Sequence, residues 1–278
     1  MNSKSSDRDI ERDRYDQRAS ASVSSTIAVT SFGSSGISFV LRAPYIAYEF
    51  QINKCILKNM RIVEFAAGTG SHTFALARSG AKVLATDISS VSLDLLKSRL
   101  ASIGLVVETC VADMEQLPLE SNSFDVITCA GGISYGDPDN VNSEVLRLLK
   151  PGGSFICVDS LNHNPIYRFN RWIHWRIKKD RTRSTLIRMP TITRMRQLGE
   201  HFESWELEGF GAASWLLSPL SHIIGSTICA RLSTLCDRLP GARRMAFKFV
   251  FVARGLKKTS PNATDRDPIA GPPLMRFR

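Results

Sequence analysis

Between Arg61 and Ser160 the chain alternates without a break between strand-like and helix-like segments. RIVEFA (61–66), a glycine loop, TFALARSG (73–80), KVLATD (82–87), SVSLDLLKSRLASIG (90–104), VVETCVAD (106–113), FDVITCA (124–130), VNSEVLRLLKPGG (141–153) and SFICVDS (154–160) follow one another. Apolar runs separated by amphipathic stretches can close only through right-handed crossovers, so the pattern predicts an α/β fold built on a doubly wound, largely parallel sheet. Ligands of such a sheet bind at the carboxyl ends of its strands, where the loops of this chain carry Glu64, Asp87 and Asp113.

The rest of the chain frames that unit. A length of 278 residues suits one α/β core with a smaller cap. Residues 1–40 are polar, with eight serines from Ser20 to Ser38; they show no sustained period and are expected to be flexible. PYIAYEFQINKCILK (44–58) reads as a helix with Pro44 in its first turn and Ile46, Phe50 and Leu57 on its apolar face. Residues 41–258 form the expected domain, with a cofactor half at 61–160 and a basic substrate or cap region at 161–246. FKFVFVA (247–253) is a strong β run, and residues 259–278, rich in proline and glycine, are expected to be disordered.

Charge divides the domain in two. Arg61 to Val158 holds 7 basic and 11 acidic residues, whereas Asp159 to Lys258 holds 18 basic and 7 acidic ones. An anionic partner is therefore expected for the second half and not for the first. The charged start, MNSKSSDRDIERDRYDQR, has no apolar core of a secretory signal, and the six cysteines form no CxxC pair. Both features point to a reduced, cytoplasmic protein, and no His/Asp/Glu cluster has metal-ligand spacing.

The glycine loop lies within VEFAAGTGSHT (63–73). It lacks the G-x-x-x-x-G-K-[ST] pattern of a triphosphate loop. Gly68-Thr69-Gly70-Ser71-His72-Thr73 approaches the dinucleotide fingerprint but has threonine in place of the third glycine, which weakens that reading without excluding it. Glu64, at the end of the first strand, would repel a pyrophosphate and attract an ammonium group. Asp87 closes the second strand, where an acid can accept hydrogen bonds from both ribose hydroxyls, and Asp113 closes the third. An adenosine with a zwitterionic amino-acid arm, S-adenosylmethionine, satisfies all three acids.

VEFAAGTGSHT, ATDIS, VADMEQLPLESNSFDVITC and LRLLKPGG resemble, in order and spacing, the successive motifs of class I S-adenosylmethionine-dependent methyltransferases of the type 11 group. The resemblance spans residues 61–160. It implies a Rossmann-like seven-stranded sheet in the order 3-2-1-4-5-7-6, with FKFVFVA as the antiparallel seventh strand and a basic helical insertion at 161–204 capping the site. By the same resemblance Glu64, Ala66, Gly68 and Gly70 face the methionine arm. Asp87 and Ile88 flank the ribose, Asp113 and Met114 meet the adenine, and Ala130 and Gly131 line the methionine side. Ala66 departs from the glycine usual there, and alanine is at ease only with φ below zero.

Methyl transfer needs alignment of a nucleophile with the methyl carbon, and a base only if the acceptor arrives protonated. His163, four residues past Asp159, is the histidine that the topology puts nearest the site and the candidate base. NPIYRFNRWIHWRIKKDRTR (164–183) predicts a helix with Ile166, Phe169, Ile173 and Ile177 on one face, crowded by arginines and lysines. Such a helix suits an acidic substrate group, an anionic membrane or RNA. With the uncharged stretch 210–230 beside it, the pattern favours a small or lipid-like, anionic acceptor, methylated on oxygen, with peripheral membrane contact. Nucleic acid is disfavoured. An RNA or protein methyltransferase, an NAD-type oxidoreductase and a non-catalytic cofactor-binding protein are the alternatives.

Overall fold

A computed structural model describes residues 3–23, 32–33, 39–178 and 183–258. The expected disorder of 259–278 lies outside the described residues. Seven strands form one sheet: β1 (Arg61–Phe65), β2 (Lys82–Asp87), β3 (Glu108–Val111), β4 (Phe124–Ala130), β5 (Leu149–Ser160), β6 (Phe202–Phe210) and β7 (Lys248–Leu256). Their order is β3-β2-β1-β4-β5-β7-β6. The first five pair in parallel, and β7 runs antiparallel to both β5 and β6.

Strand alternation sorts side chains to the two faces. Val63 and Phe65, Phe155 and Cys157, and Phe249 and Phe251 enter one buried cluster with Val145 and Leu148 of a following helix. Their neighbours Ile62, Ile156, Val158, Val250 and Val252 enter the other, with Tyr48, Ile52 and Leu76. Each of these large side chains contributes about 1.5–3 kcal/mol when fully buried, which is why the central strands read as unbroken apolar runs.

The helices are α1 (Ser3–Val23), α2 (Phe39–Cys55), α3 (Thr73–Arg78), α4 (Ser90–Ala101), α5 (Pro138–Leu148), α6 (Pro165–Lys178), α7 (Arg183–Arg188), α8 (Ile192–Gly199), α9 (Ser214–Ile224) and α10 (Ser226–Asp237). Local chemistry starts several of them: Ser89 caps α4 through Ser92 N–H, and Asp137 caps α5 with Pro138 in the first turn. The KPGG segment lies inside β5, at a register break between the Phe124–Leu149 and Val126–Ser154 pairs.

Two expectations change. The segment 1–40, expected to be flexible and without period, contains α1, a helix held by tertiary contacts and not by an apolar stripe. The helix of residues 44–58 starts earlier, at Phe39, so Pro44 lies inside it. Its phase is also reversed: Tyr48, Ile52 and Ile56 are buried, while Ile46, Phe50 and Leu57 face outward. Both stripes have helical spacing and each carries one aromatic ring, and the stripe of Tyr48 and Ile52 packs with the sheet.

Candidate active site

A cavity of about 550 Å³ opens at the carboxyl ends of β1, β2, β3 and β4. Every residue assigned to the cofactor by resemblance lines it except Gly70: Glu64, Ala66, Gly68, Asp87, Ile88, Asp113, Met114, Ala130 and Gly131 are all in its wall. Gly70 is buried with φ +81, and an added Cβ would stand 2.7 Å from Leu96 Cγ. Its role is to let the loop approach α4, the role that the dinucleotide fingerprint gives to a third glycine. His163 is exposed and outside the cavity wall. Asn164 beside it is buried, donates to Met245 O at 2.7 Å and accepts from Ile166 N–H at 2.9 Å, which fixes the start of α6 and leaves His163 pointing to solvent.

Glu64 sits on the cavity floor with 1% of its surface exposed. Thr73, in place of the absent glycine, donates its hydroxyl to Glu64 Oε2 at 2.6 Å. Burial pushes the Glu64 carboxyl up to about 8; the Thr73 hydrogen bond opposes this and the Asp87 charge adds to it. Asp87 accepts Gly68 N–H at 2.8 Å through Oδ2 and Ser89 N–H at 2.9 Å through Oδ1. Burial raises its pKa too, against those backbone hydrogen bonds.

The loop is tighter than the sequence suggested. Ala66 adopts φ +50, the left-handed region that favours glycine, instead of the negative φ expected for alanine. Space for its methyl group comes from Gly132: a Cβ added there would lie 2.3 Å from Ala66 Cβ. At Gly68, with φ +53, an added Cβ would meet nothing within 4 Å, so this edge of the loop is open to the cavity.

The opposite wall was not legible in the sequence. Helix α1 crosses the cavity, with Arg8 bound to Asp113 at 2.9 Å and to Glu115 at 2.8 Å. Asp16 bonds the Ser89 hydroxyl, and Tyr15 meets Tyr135 edge to face at 5.7 Å between centroids. Burial pushes the Glu115 carboxyl up, but hydrogen bonds from Asn140 and Asp137 N–H, with the Arg8 and Arg188 charges, outweigh it and hold the group below the usual carboxylate range. From the basic insertion come Ser184, Thr185 and Arg188, the last donating to Tyr135 O at 3.0 Å.

Beside Ala130 and Gly131 the wall is aromatic: Tyr15, Tyr45 and Tyr135 line it together with His72. Tyr45 stacks on His72 at 4.8 Å, and its hydroxyl stands 3.2 Å from where a Gly131 Cβ would be. Burial and the Asp159 charge push the Tyr45 hydroxyl up, so it acts as a neutral hydrogen-bonding group. Among the described residues, no three His, Cys, Asp or Glu side chains group to hold a metal ion.

Residues 62–153 match a family model described as a methyltransferase domain. Over that stretch the chain is similar to a methyltransferase domain. Over 110 residues it is 42% identical to a demethylmenaquinone methyltransferase of Clavibacter sepedonicus, covering 39% of this chain and 44% of that one. Over 125 residues it is 32% identical to a ubiquinone/menaquinone biosynthesis C-methyltransferase of Idiomarina loihiensis, covering 41% and 50%. The chain thus spans about half the length of these curated relatives. A solved phosphoethanolamine N-methyltransferase of Haemonchus contortus shares the fold at a TM-score of 0.55 and 16% identity, covering 77% of this chain and 53% of that one. The strand order of the methyltransferase domain is that of the sheet found here, with β7 antiparallel.

Proposed function

We propose that this chain transfers a methyl group from S-adenosylmethionine to a small, lipid-like, amphipathic acceptor. The observation that carries the reading is Glu64, a carboxyl on the cavity floor whose burial would be relieved by a cationic ligand group. S-adenosylmethionine supplies an electrophilic methyl group when bound. Glu64, held by Thr73, would receive its ammonium, and the open backbone at Gly68 leaves room for the amino-acid arm. Asp87, whose oxygens already hold two N–H groups, would take the ribose hydroxyls, and Ile88 and Met114 would flank the rings. Asp113 can meet the adenine amino group if Arg8 shares or yields one of its oxygens.

The acceptor would lie against Tyr15, Tyr45 and Tyr135, whose rings favour a flat, partly apolar molecule. Arg18 and Arg188, also in the wall, favour an acidic group on it. A phenol or enol has both properties. Its proton having passed to solvent, the anion would attack the methyl carbon through oxygen, the atom expected from the sequence, as the methyl–sulfur bond breaks and S-adenosylhomocysteine leaves. The arginines stabilise that anion, so His163, outside the cavity, is not required as a base. Attack through the adjacent carbon is the second reading, favoured by the C-methyltransferase named among the relatives. Peripheral contact with a membrane, where such an acceptor dissolves, belongs to the same proposal.

Calorimetry with S-adenosylhomocysteine and NAD side by side tests the cofactor, and heat from NAD alone would overturn it. Incubation of the protein with isotopically labelled donor and a cell lipid extract, followed by mass spectrometry, tests the acceptor. A labelled product one CH₂ heavier than an extract component is expected; cofactor binding without any labelled product would favour the non-catalytic alternative.

A further inference from the structure

Three helices of the second half are turned inside out. Helix α6 buries Tyr167 and Arg171 and presents Ile166, Phe169, Trp172 and Ile177 to solvent, Ile177 with 74% of its surface exposed. The inward side chains are held by polar bonds: Tyr167 donates to Gly211 O and accepts from Trp215 N–H, each at 2.9 Å, and Arg171 donates to Leu161 O at 3.0 Å. Helices α9 and α10 form a hairpin about Gly225 in which Leu217 and otherwise small groups face inward, with Ser214 and Ser233 hydroxyls 3.4 Å apart and Cys229 buried. Its branched and aromatic side chains point out, among them Trp215, Leu216, Ile223, Ile228 and Leu235, with Ile223 at 79% exposure. A soluble helix buries its apolar stripe, and contiguous exposed apolar surface of this kind marks a contact.

We propose that the outward faces of α6 and the α9–α10 hairpin are a docking surface for an anionic phospholipid bilayer. Charge selects the occupant. Asp237 is the one acid in the sequences of these three helices, and its carboxylate is held by Gly211 and Ala212 N–H at 2.9 and 2.8 Å. Arg168, Arg176, Arg231 and Arg238 are exposed beside the apolar side chains. Basic groups rimming tryptophan and branched aliphatic side chains suit headgroup phosphates above an acyl layer. A second copy of the same basic surface would be repelled.

Among the described residues no helix is long and apolar enough to cross a membrane, so the hairpin lies in the interface and does not span it. Topology starts α6 and α9 at the cavity's end of the sheet. Ser160 pairs with Lys248 and Lys248 with Phe210, so the end of β5 before α6 and the end of β6 before α9 share the carboxyl edge. The inference deepens the membrane contact of the proposed function, but its residues lie outside the cavity wall, so it does not depend on which acceptor is methylated.

The test is sedimentation of the full chain with vesicles of phosphatidylcholine alone or mixed with phosphatidylglycerol, at low and high salt. Binding is expected only with phosphatidylglycerol and is expected to weaken with salt. R168Q/R231Q is expected to lower partitioning by about tenfold or more, and I223D to lower it with an unchanged circular dichroism melt. No binding at low salt, or binding indifferent to both variants, overturns the proposal. So does sedimentation velocity showing a dimer that I223D dissociates while vesicles bind neither form. Calorimetry with S-adenosylhomocysteine is expected to be the same for I223D and the parent, which separates this surface from the cavity.

Discussion

Replacing Gly132 by alanine is expected to destabilise the protein through one contact, with Ala66. Gly132 has φ −109 and ψ −24, a conformation open to alanine, so its backbone offers no objection. The objection is spatial. The new Cβ would stand 2.3 Å from Ala66 Cβ and 3.2 Å from Cys129 Sγ, at the root of the cavity loop. Forcing extra carbon into a filled site costs about 1–3 kcal/mol. Ala66→Gly alone acts in two directions: it removes about 1–2 kcal/mol of left-handed strain and adds about 0.5–1 kcal/mol of unfolded-chain entropy. The strain is the larger of the two, so a net gain of up to about 1 kcal/mol is expected for Ala66→Gly alone.

In the Ala66→Gly background the closest obstruction to a methyl group at position 132 is gone. What remains is ordinary contact with the position 66 Cα at 3.7 Å and a tight approach of 3.2 Å to Cys129 Sγ, which a shift of a few tenths of an ångström relieves. The cost of Gly132→Ala is then expected to fall below about 1 kcal/mol, leaving a coupling of about 1–2 kcal/mol between the two sites. Urea unfolding of the parent, both single variants and the double variant measures this from the midpoints, provided the slopes agree. Equal destabilisation by Gly132→Ala in both backgrounds would refute the reasoning, because the Ala66 methyl group would then not be what Gly132 accommodates.

Glu64 makes ligand-free stability depend on pH. Its folded value of about 8 lies above the ordinary 4.5, so this stabilising contribution is full below the lower value and lost as pH rises through the higher one. A decline of up to a few kcal/mol is expected over that window, because each tenfold difference in proton affinity between the folded and unfolded chain is worth about 1.4 kcal/mol. Glu64→Gln is expected to flatten the decline in thermal melts. A bound ammonium reverses the preference, so affinity for S-adenosylhomocysteine is expected to rise as pH approaches 8, with proton release in calorimetry; a flat profile would place the ammonium elsewhere. Asp87→Ala is expected to weaken the same binding by about 1–3 kcal/mol, from lost charge-assisted hydrogen bonds. Unchanged affinity would show that the ribose does not sit there. Removing residues 1–23 takes away the Arg8, Tyr15 and Asp16 contacts. It is expected to speed S-adenosylhomocysteine dissociation in stopped flow with the melting temperature of the sheet kept, and an unchanged off-rate would show that α1 does not close the cavity.

What the sequence disclosed follows from which forces are local. Strand runs, helix-closing glycines and acids at strand ends all act within a few residues, so the strands, the helices between them and the acids at the carboxyl edge could be read, while the sheet order came from the family resemblance. Helix α1 could not, because what holds it is remote: Arg8 reaches Asp113 and Glu115, and Asp16 reaches Ser89. Periodicity also left unsettled which stripe of a helix faces inward. In α2 Tyr48 and Ile52 pack with the strand residues Ile62, Ile156 and Val252, and Ile46 and Phe50 are left outside. In α6 the outcome is stranger, since of the predicted stripe Ile166, Phe169, Ile173 and Ile177 only Ile173 is half-buried, while Tyr167 and Arg171 take the inside. The reason lies in what the inside offers. At that end of the sheet stand the carbonyl oxygens of Leu161 and Gly211, and the Phe247 ring lies 5.3 Å from the Arg171 guanidinium carbon and 4.5 Å from the Tyr167 ring. A tyrosine and an arginine satisfy both the carbonyls and the ring, whereas isoleucine would leave buried acceptors without donors. The apolar stripe is thereby forced outward, and the same choice that secures the helix to the domain creates the surface that needs a partner.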